Sequence, residues 1–356
     1  MSDNFFRQAT DYYRGKLRLP SSGWSDIWQE QHSHAFISAG AAHDALVEDL
    51  YNAVQTAKWG AGGGGYDQFQ TDFEAIANKY GWAYHGGPGW RSRIIYDTNI
   101  TQAYQAGRYQ QMVAVKHLRP YWRYRHNPCE HPRLTHVAWN GLILLADDTW
   151  WNTHYPQNAW LCHCSVDSLS RVEATREWEK AGKTGPDTAP PLDWQEVTVG
   201  KNGSNPRTVR VPAGIDPGFA YNPGKAWLEP HTVPPLQGYD AVLKEREATW
   251  PTGFTPPPTP KPTRISPKAI LPAGTAPEVA VQDFLEVFGA TMDQGVAFQD
   301  AAGSGVAITK ALFTDGQGEF KWLAAEGKAD RLQHINLLAM TLIEPDEIWW
   351  AWRCRN

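Results

Sequence analysis

Cysteine is scarce, with four in 356 residues, too few for a disulfide framework. So small a number fits a reducing cytoplasm, where thiols stay free or bind metal. No apolar run approaches the ~20 residues that span a bilayer, so no membrane partner is expected. The first residues, MSDNFFRQATDYYRGK, have no apolar stretch between a basic start and a small-residue cleavage site, so no signal peptide is expected. Positive charge is not in excess: the formal net charge is −5, which argues against whole-molecule attraction to nucleic acid and leaves only local patches. The glycine run at 60–65 has no Gly-Lys-Ser or Gly-Lys-Thr behind it. It reads as a flexible hinge, not a phosphate loop.

Aromatic residues are abundant, with 18 Trp, 14 Tyr and 12 Phe, while charged residues make up 20%. That balance excludes a disordered tail and a coiled coil, and the length allows two or more domains with separate cores.

The expected fold class is α+β, with a mainly helical N-terminal half. Residues 3–19 read as a helix closed by Pro20 and Gly23, and a second helical stretch, in one or two pieces, runs from about Ser25 to Lys58. Residues 67–79 carry Phe69, Phe73 and Ile76 on one face, and a long helix follows from Trp90 to His117. Short strands are expected at Tyr121–Arg125 and Gly141–Leu145, then a charged helix at Arg171–Lys180. From Trp194 to Val211, two alternating runs flank Gly200-Lys201-Asn202-Gly203, a strong hairpin signature. Proline dominates 249–277, centred on Thr255–Pro262, which predicts a semi-rigid linker. Beyond it a small α+β module is expected: a helix at Val279–Phe288, strands at Val296–Phe298 and Val306–Thr309, and a helix from Lys328 to Ile343 stopped by Pro345.

The unusual chemistry lies between Arg123 and Cys164, a small mixed module rich in Cys and His. Cys129 stands seven residues before His136, and Cys162-His163-Cys164 closes the stretch, with His126, His131 and His154 between. Thiolate and imidazole are zinc's preferred ligands, so Cys129, His136, Cys162 and Cys164 form a candidate zinc set. No Cys-x-x-Cys pair and no His-Glu-x-x-His is present, and the alternative is a compact core in which these groups are simply buried. Upstream, Arg119, Arg123 and Arg125 are interleaved with Tyr121, Trp122 and Tyr124. Basic groups next to stacking groups can hold DNA through phosphates and bases, or can serve as a solvated face.

Several ordered motifs resemble the phage Mu protein F family of minor head proteins. They are Ile95-Tyr96-Asp97-Thr98-Asn99, Ala103-Tyr104-x-Ala106-Gly107-Arg108-Tyr109, Arg133-x-x-His136-x-x-Trp139-x-Gly141, Asp147-Asp148-x-x-Trp151 and Pro156-x-Asn158-x-Trp160-x-Cys162-x-Cys164. The resemblance covers roughly residues 5–225, ending at Gly214–Phe219 and Tyr221–Gly224, and departs from many relatives at His163, where they have a basic residue. It implies a 1–60 N-terminal helical arm, a 66–225 head morphogenesis domain and a 226–277 linker. It also implies a structural protein of a tailed-phage head, with the portal protein and a major capsid or scaffold protein as partners and packaged double-stranded DNA nearby. The virion would be its location, and the host cytoplasm its place during assembly, as a late protein.

The stretch 278–356 resembles the barnase, EndoU, colicin and RelE-like nuclease modules found behind such domains. The similarity rests on Phe298-x-Asp300, Ile308-Thr309, Leu312-Phe313, Asp330-Arg331-x-x-His334-Ile335 and Pro345–Trp349. It implies His334, Arg331 and Lys321 as acid, base and cations around a phosphate. Strands that relatives carry after the Pro-Asp-Glu-Ile-Trp motif are missing before Asn356, so the module is expected to be partial and inactive on its own. A phage-delivered ribonuclease or toxin is the alternative, and a zinc hydrolase a weaker one.

Overall fold

The longest element is α5 (Pro88–Ala114), 27 residues that begin with proline in the first turn, where a missing N–H costs nothing. Asn99 does not break it, because its side-chain amide donates to the Ile95 carbonyl one turn back at 2.9 Å. The computed structural model describes residues 6–200, 206–229, 266–301, 303, 305–315, 318–320 and 329–345. The chain divides into two compact units, Met1–His231 and Thr232–Asn356, and the whole is a mixed α+β fold with small sheets.

In the N-terminal unit, α1 (Arg7–Arg14), α2 (Gln31–His34), α3 (Asp44–Trp59) and α4 (Gly65–Tyr80) precede α5. Gly81 ends α4 in the left-handed conformation at φ 54°, which favours glycine. The helices share one core built on Tyr12, Tyr13, Leu50, Phe69, Phe73 and Ala103, so the stretch before residue 60 packs with the helices after it. Where α1 crosses α5 the backbones nearly touch. A Cβ on Gly107 would lie 2.8 Å from the Ala9 nitrogen and the Phe6 ring.

The helical run expected from Ser25 to Lys58 is only partly helical. Ala35–Phe36 (β2) instead pairs in parallel with Leu17–Arg18 (β1), and Gly40 turns the chain at φ 80° before α3 begins. The apolar triplet Ala35-Phe36-Ile37 is contiguous rather than spaced for one helix face, and in the extended pair Ala35 and Phe36 are buried.

A three-stranded antiparallel sheet follows, in the order β4 (Ile143–Leu145), β3 (Tyr121–Arg125), β5 (Ser165–Leu169). Alternation along β3 sends Trp122 and Tyr124 into an aromatic core with Trp139, Trp150, Trp151 and Tyr155. Tyr121 faces the other way, against Trp178 of α8 (Arg171–Lys180). A capping box starts α8, with Ser170 accepting from the Glu173 N–H and Glu173 accepting from the Ser170 N–H. Two short helices, α6 (Leu134–Ala138) and α7 (Trp151–His154), sit between the strands.

The expected hairpin is present as β6 (Trp194–Val199) paired with β7 (Arg207–Pro212), Val197 opposite Val209; most of its Gly200–Gly203 turn lies outside the described residues. Helix α9 (Pro223–Leu228), capped by the Asn222 side chain, packs on α2 and α5.

In the second unit, α10 (Pro277–Val287), the hairpin β8 (Val296–Gln299) and β9 (Gly305–Ile308), and α11 (Ile335–Ile343) enclose a core of Phe284, Phe288, Phe298, Phe313 and Ile335. The helix expected from Lys328 opens as a 3-10 turn, Ala329–His334. The Gln333 carbonyl accepts from the Leu271 N–H at 2.9 Å, which draws it away from the α-helical pattern. The linker centre Thr255–Pro262 lies outside the described residues.

Candidate metal centre

Cys162 and Cys164 lie on the lead into β5, two residues apart, so both thiols turn inward while His163 faces solvent. His136 meets them from the middle of α6 and is 2% exposed. Its Nε2–H donates to the Gly214 carbonyl at 2.8 Å, and its ring stacks on Trp139 with centroids 5.1 Å apart. That bond fixes the tautomer and leaves Nδ1 as a lone pair, the arrangement that orients a ligating histidine. Both Cys162 Sγ and Cys164 Sγ lie 3.6 Å from His136 Nδ1. A tetrahedral zinc with Zn–S of about 2.3 Å and Zn–N of about 2.0–2.1 Å has an S···N edge of roughly 3.5–3.6 Å. The spacing of this triad fits zinc.

The two thiols share a proton unequally. Cys164 is drawn down to about 7, chiefly by the hydrogen bond with Cys162, against the opposing effect of burial. Cys162 is pushed up by the same bond and by burial. One thiolate is thus favoured before any cation arrives.

The structure brings three of the four sequence-derived residues together. Cys129 lies on the wall of the adjoining cavity but is exposed and outside the triad. Its loop carries Pro128, Glu130, His131 and Pro132, and the Glu130 and His131 side chains stand almost fully in water. His126, next to the end of β3, lies closer: its Nδ1 is 3.6 Å from Cys164 Sγ, the same edge length. The surroundings are pinned by Arg133, whose Nη2 donates to Asp216 and to the Trp160 carbonyl, each at 3.1 Å. Asn158, fully buried, accepts from the Tyr124 hydroxyl at 2.9 Å. His154 is stacked on Trp150 at 4.3 Å and burial lowers it to about 4, so it serves the aromatic core as a neutral ring.

The three arginines proposed to meet nucleic acid lie on or beside β3, each beside acidic groups. Arg119 pairs with Glu173 at 2.8 Å, Arg123 with Asp167 at 2.9 Å and Glu177 at 3.1 Å, and Arg125 with Asp167 at 3.8 Å. Much of that patch's charge is therefore neutralised within the unit. Arg331 and His334 are both exposed on the 3-10 turn of the second unit, where side chains three apart eclipse. Lys321 lies outside the described residues. Sequence spacing did not single out His126, which lies beside Cys164, nor Lys16 and Arg91, two buried cations; a lone basic residue at an element's edge carries no local signal of burial.

Residues 60–167 match the family described as Phage Mu protein F like protein, and residues 283–356 match phage-Barnase-EndoU-ColicinE5/D-RelE like nuclease2. The chain thus carries a Mu F-like stretch and, after it, a nuclease-like one. Protein F of Escherichia phage Mu, named for capsid assembly, is 27% identical over 244 residues, covering 62% of this chain and 54% of that protein. The Mu-like prophage FluMu F protein of Haemophilus influenzae is 27% identical over 224 residues, covering 57% and 52%. The chain spans about half the length of these curated relatives. No solved structure matches it.

Proposed function

We propose that this chain is a minor head protein of a tailed phage or prophage, acting in head assembly near the portal and travelling with the packaged DNA. Its partners are the portal protein and a major capsid or scaffold protein. The observation that carries this reading is the Mu F-like match over 60–167, together with the likeness to two F proteins of Mu-type phages. In support of a structural role for the matched residues, Arg133, Asn158 and Trp139 brace the Cys-His module through hydrogen bonds and a ring contact. In this reading zinc, held by His136, Cys162 and Cys164, ties α6 to the lead into β5 and adds folding free energy. Mass spectrometry of purified precursor and mature heads tests the assignment. The chain should be present in few copies per particle, and its absence from both kinds of head would refute it.

The nuclease-like match and the exposed Arg331–His334 pair favour a second reading, a ribonuclease delivered by the head domain. Incubating the full chain with tRNA beside a His334→Ala variant separates the two. Cleavage that the substitution abolishes supports the ribonuclease, and equal inertness of both proteins counts against it.

A further inference from the structure

Zinc fills its shell in one of two ways: four protein ligands close a structural site, whereas three leave one position to a ligand from outside. Distances within the Cys-His module separate the two cases. With Zn–S of about 2.3 Å and Zn–N of about 2.0–2.1 Å, a fourth tetrahedral ligand has to lie roughly 3.3–3.8 Å from each of the other three. Among the described residues, the ligand atoms that all lie within 4.8 Å of one another stop at His136, Cys162 and Cys164. His126 Nδ1 reaches Cys164 Sγ at 3.6 Å yet stands outside this group. Its backbone is held in place on both sides. The His126 N–H donates to Asn140 Oδ1 at 3.0 Å, and the next residue, Asn127, donates from its side-chain amide to the His163 carbonyl. The segment cannot shift toward the triad without breaking those bonds. Cys129, two residues further on, is exposed and also outside the group.

His136, Cys162 and Cys164 all border a cavity of about 560 Å3, far more than the ~30 Å3 share of one water. Two arginines on its wall are already matched: Arg93 pairs with Asp97 at 3.6 Å, and Arg133 with Asp216 at 3.1 Å. Neither offers free charge that would reserve the space for a phosphate or a carboxylate. Selection then falls to the metal. Two thiolates and an imidazole make a soft centre, which favours a further thiolate over an oxygen ligand.

On the reading that zinc sits at this triad, we infer that it keeps one coordination position open to the cavity and takes up a thiolate there. The thiolate comes from a small thiol or from a cysteine side chain of a partner segment. The exchange binds one thiol, releases one water and passes one proton to solvent, with no change of oxidation state.

Cobalt(II) in place of zinc makes this exchange visible, because thiolate-to-cobalt charge transfer and the ligand-field bands report the metal's shell. The full chain is loaded with cobalt(II) without oxygen and titrated with 2-mercaptoethanol. Charge-transfer absorption should rise by roughly half, as a third thiolate joins two, with the cobalt still on the protein. His126→Ala and Cys129→Ser should respond as the parent does. A blocked Gly-Cys-Gly peptide distinguishes the sources: tighter binding than 2-mercaptoethanol assigns the position to a partner's cysteine, weaker binding to a free thiol. A bound cobalt whose spectrum the thiol leaves unchanged, or changes only in His126→Ala or Cys129→Ser, means that the chain closes the shell itself and overturns this inference alone. Removal of the cobalt by the thiol overturns it as well. If the parent chain binds no cobalt, the zinc reading fails and this inference falls with it.

Discussion

Replacing Lys16 by methionine should stabilise the N-terminal unit at low pH and lose that advantage at high pH. The ammonium is buried, and burial lowers it from 10.5 to about 7. Below pH 7 the folded and unfolded chains are both protonated, so the full cost of burying the charge is present. Between pH 7 and about 10.5 the unfolded chain binds the extra proton, and stability rises with pH. The gap corresponds to about 5 kcal/mol at roughly 1.4 kcal/mol per pH unit, an upper bound because water entry and relaxation relieve part of it. Methionine keeps the apolar stem but leaves the Gln102 oxygen without its donor, a loss of about 1 kcal/mol. Net gain should therefore be about 2–4 kcal/mol at pH 6, turning into a loss of about 1 kcal/mol near pH 10.5. Urea denaturation of parent and variant at pH 6, 8 and 10 checks this, since the difference between them cancels the contribution of the second unit. A variant less stable at every pH, or a difference that does not change with pH, would refute the claim that Lys16 is a buried charge without a counterion.

Three further outcomes follow from the packing. Elemental analysis of the purified chain should find about one zinc, retained in Cys129→Ser and lost in His136→Ala and Cys164→Ser, with chelation lowering the melting temperature; full retention in all three variants would remove the triad from consideration. Gly107→Ala should cost about 1–3 kcal/mol, because the new methyl meets the Ala9 nitrogen and the Phe6 ring at 2.8 Å, and an unchanged melting temperature would mean that α1 does not press on α5 there. Ser170→Ala should cost about 1 kcal/mol through the lost cap of α8, whereas Ser170→Asp should be nearly neutral, both read by thermal melting.

Local patterns carried much of the fold. Alternation named the β6–β7 pair correctly, and helical spacing located α4 and α5 to within a few residues, because each pattern is set by neighbours within one or two turns. The misplacement of Ala35–Phe36 has the opposite origin: whether three contiguous apolar residues coil or extend depends on Leu17–Arg18 lying alongside, a partner 18 positions away in register. The Cys-x-Cys and His136 were legible as a ligand set because zinc's ligand types are few. The place of Cys129 outside that cluster was not, since it depends on which way a proline-flanked loop turns. The paired state of Arg119, Arg123 and Arg125 was hidden for a related reason: their acidic partners come from β5 and α8, some 40 to 55 residues later in the chain.

Helix α9 sets a schedule for making this protein. Trp227 packs edge-on against Tyr12 at 5.4 Å, and the Ser33 hydroxyl donates to the Pro223 carbonyl at 3.3 Å, so the last element of the N-terminal unit completes contacts with the first ones. At 5–20 residues per second, the ribosome needs roughly 10–40 s to supply α9 after α1 has emerged. Throughout that interval Tyr12 and Ser33 have each other but not their α9 partners, and this edge of the helical core stays open. A polypeptide released early, or cut down to the 60–167 stretch alone, would lack both ends of this clasp and expose apolar surface that chaperones and proteases recognise. Only a chain translated past residue 228 carries every element of this clasp.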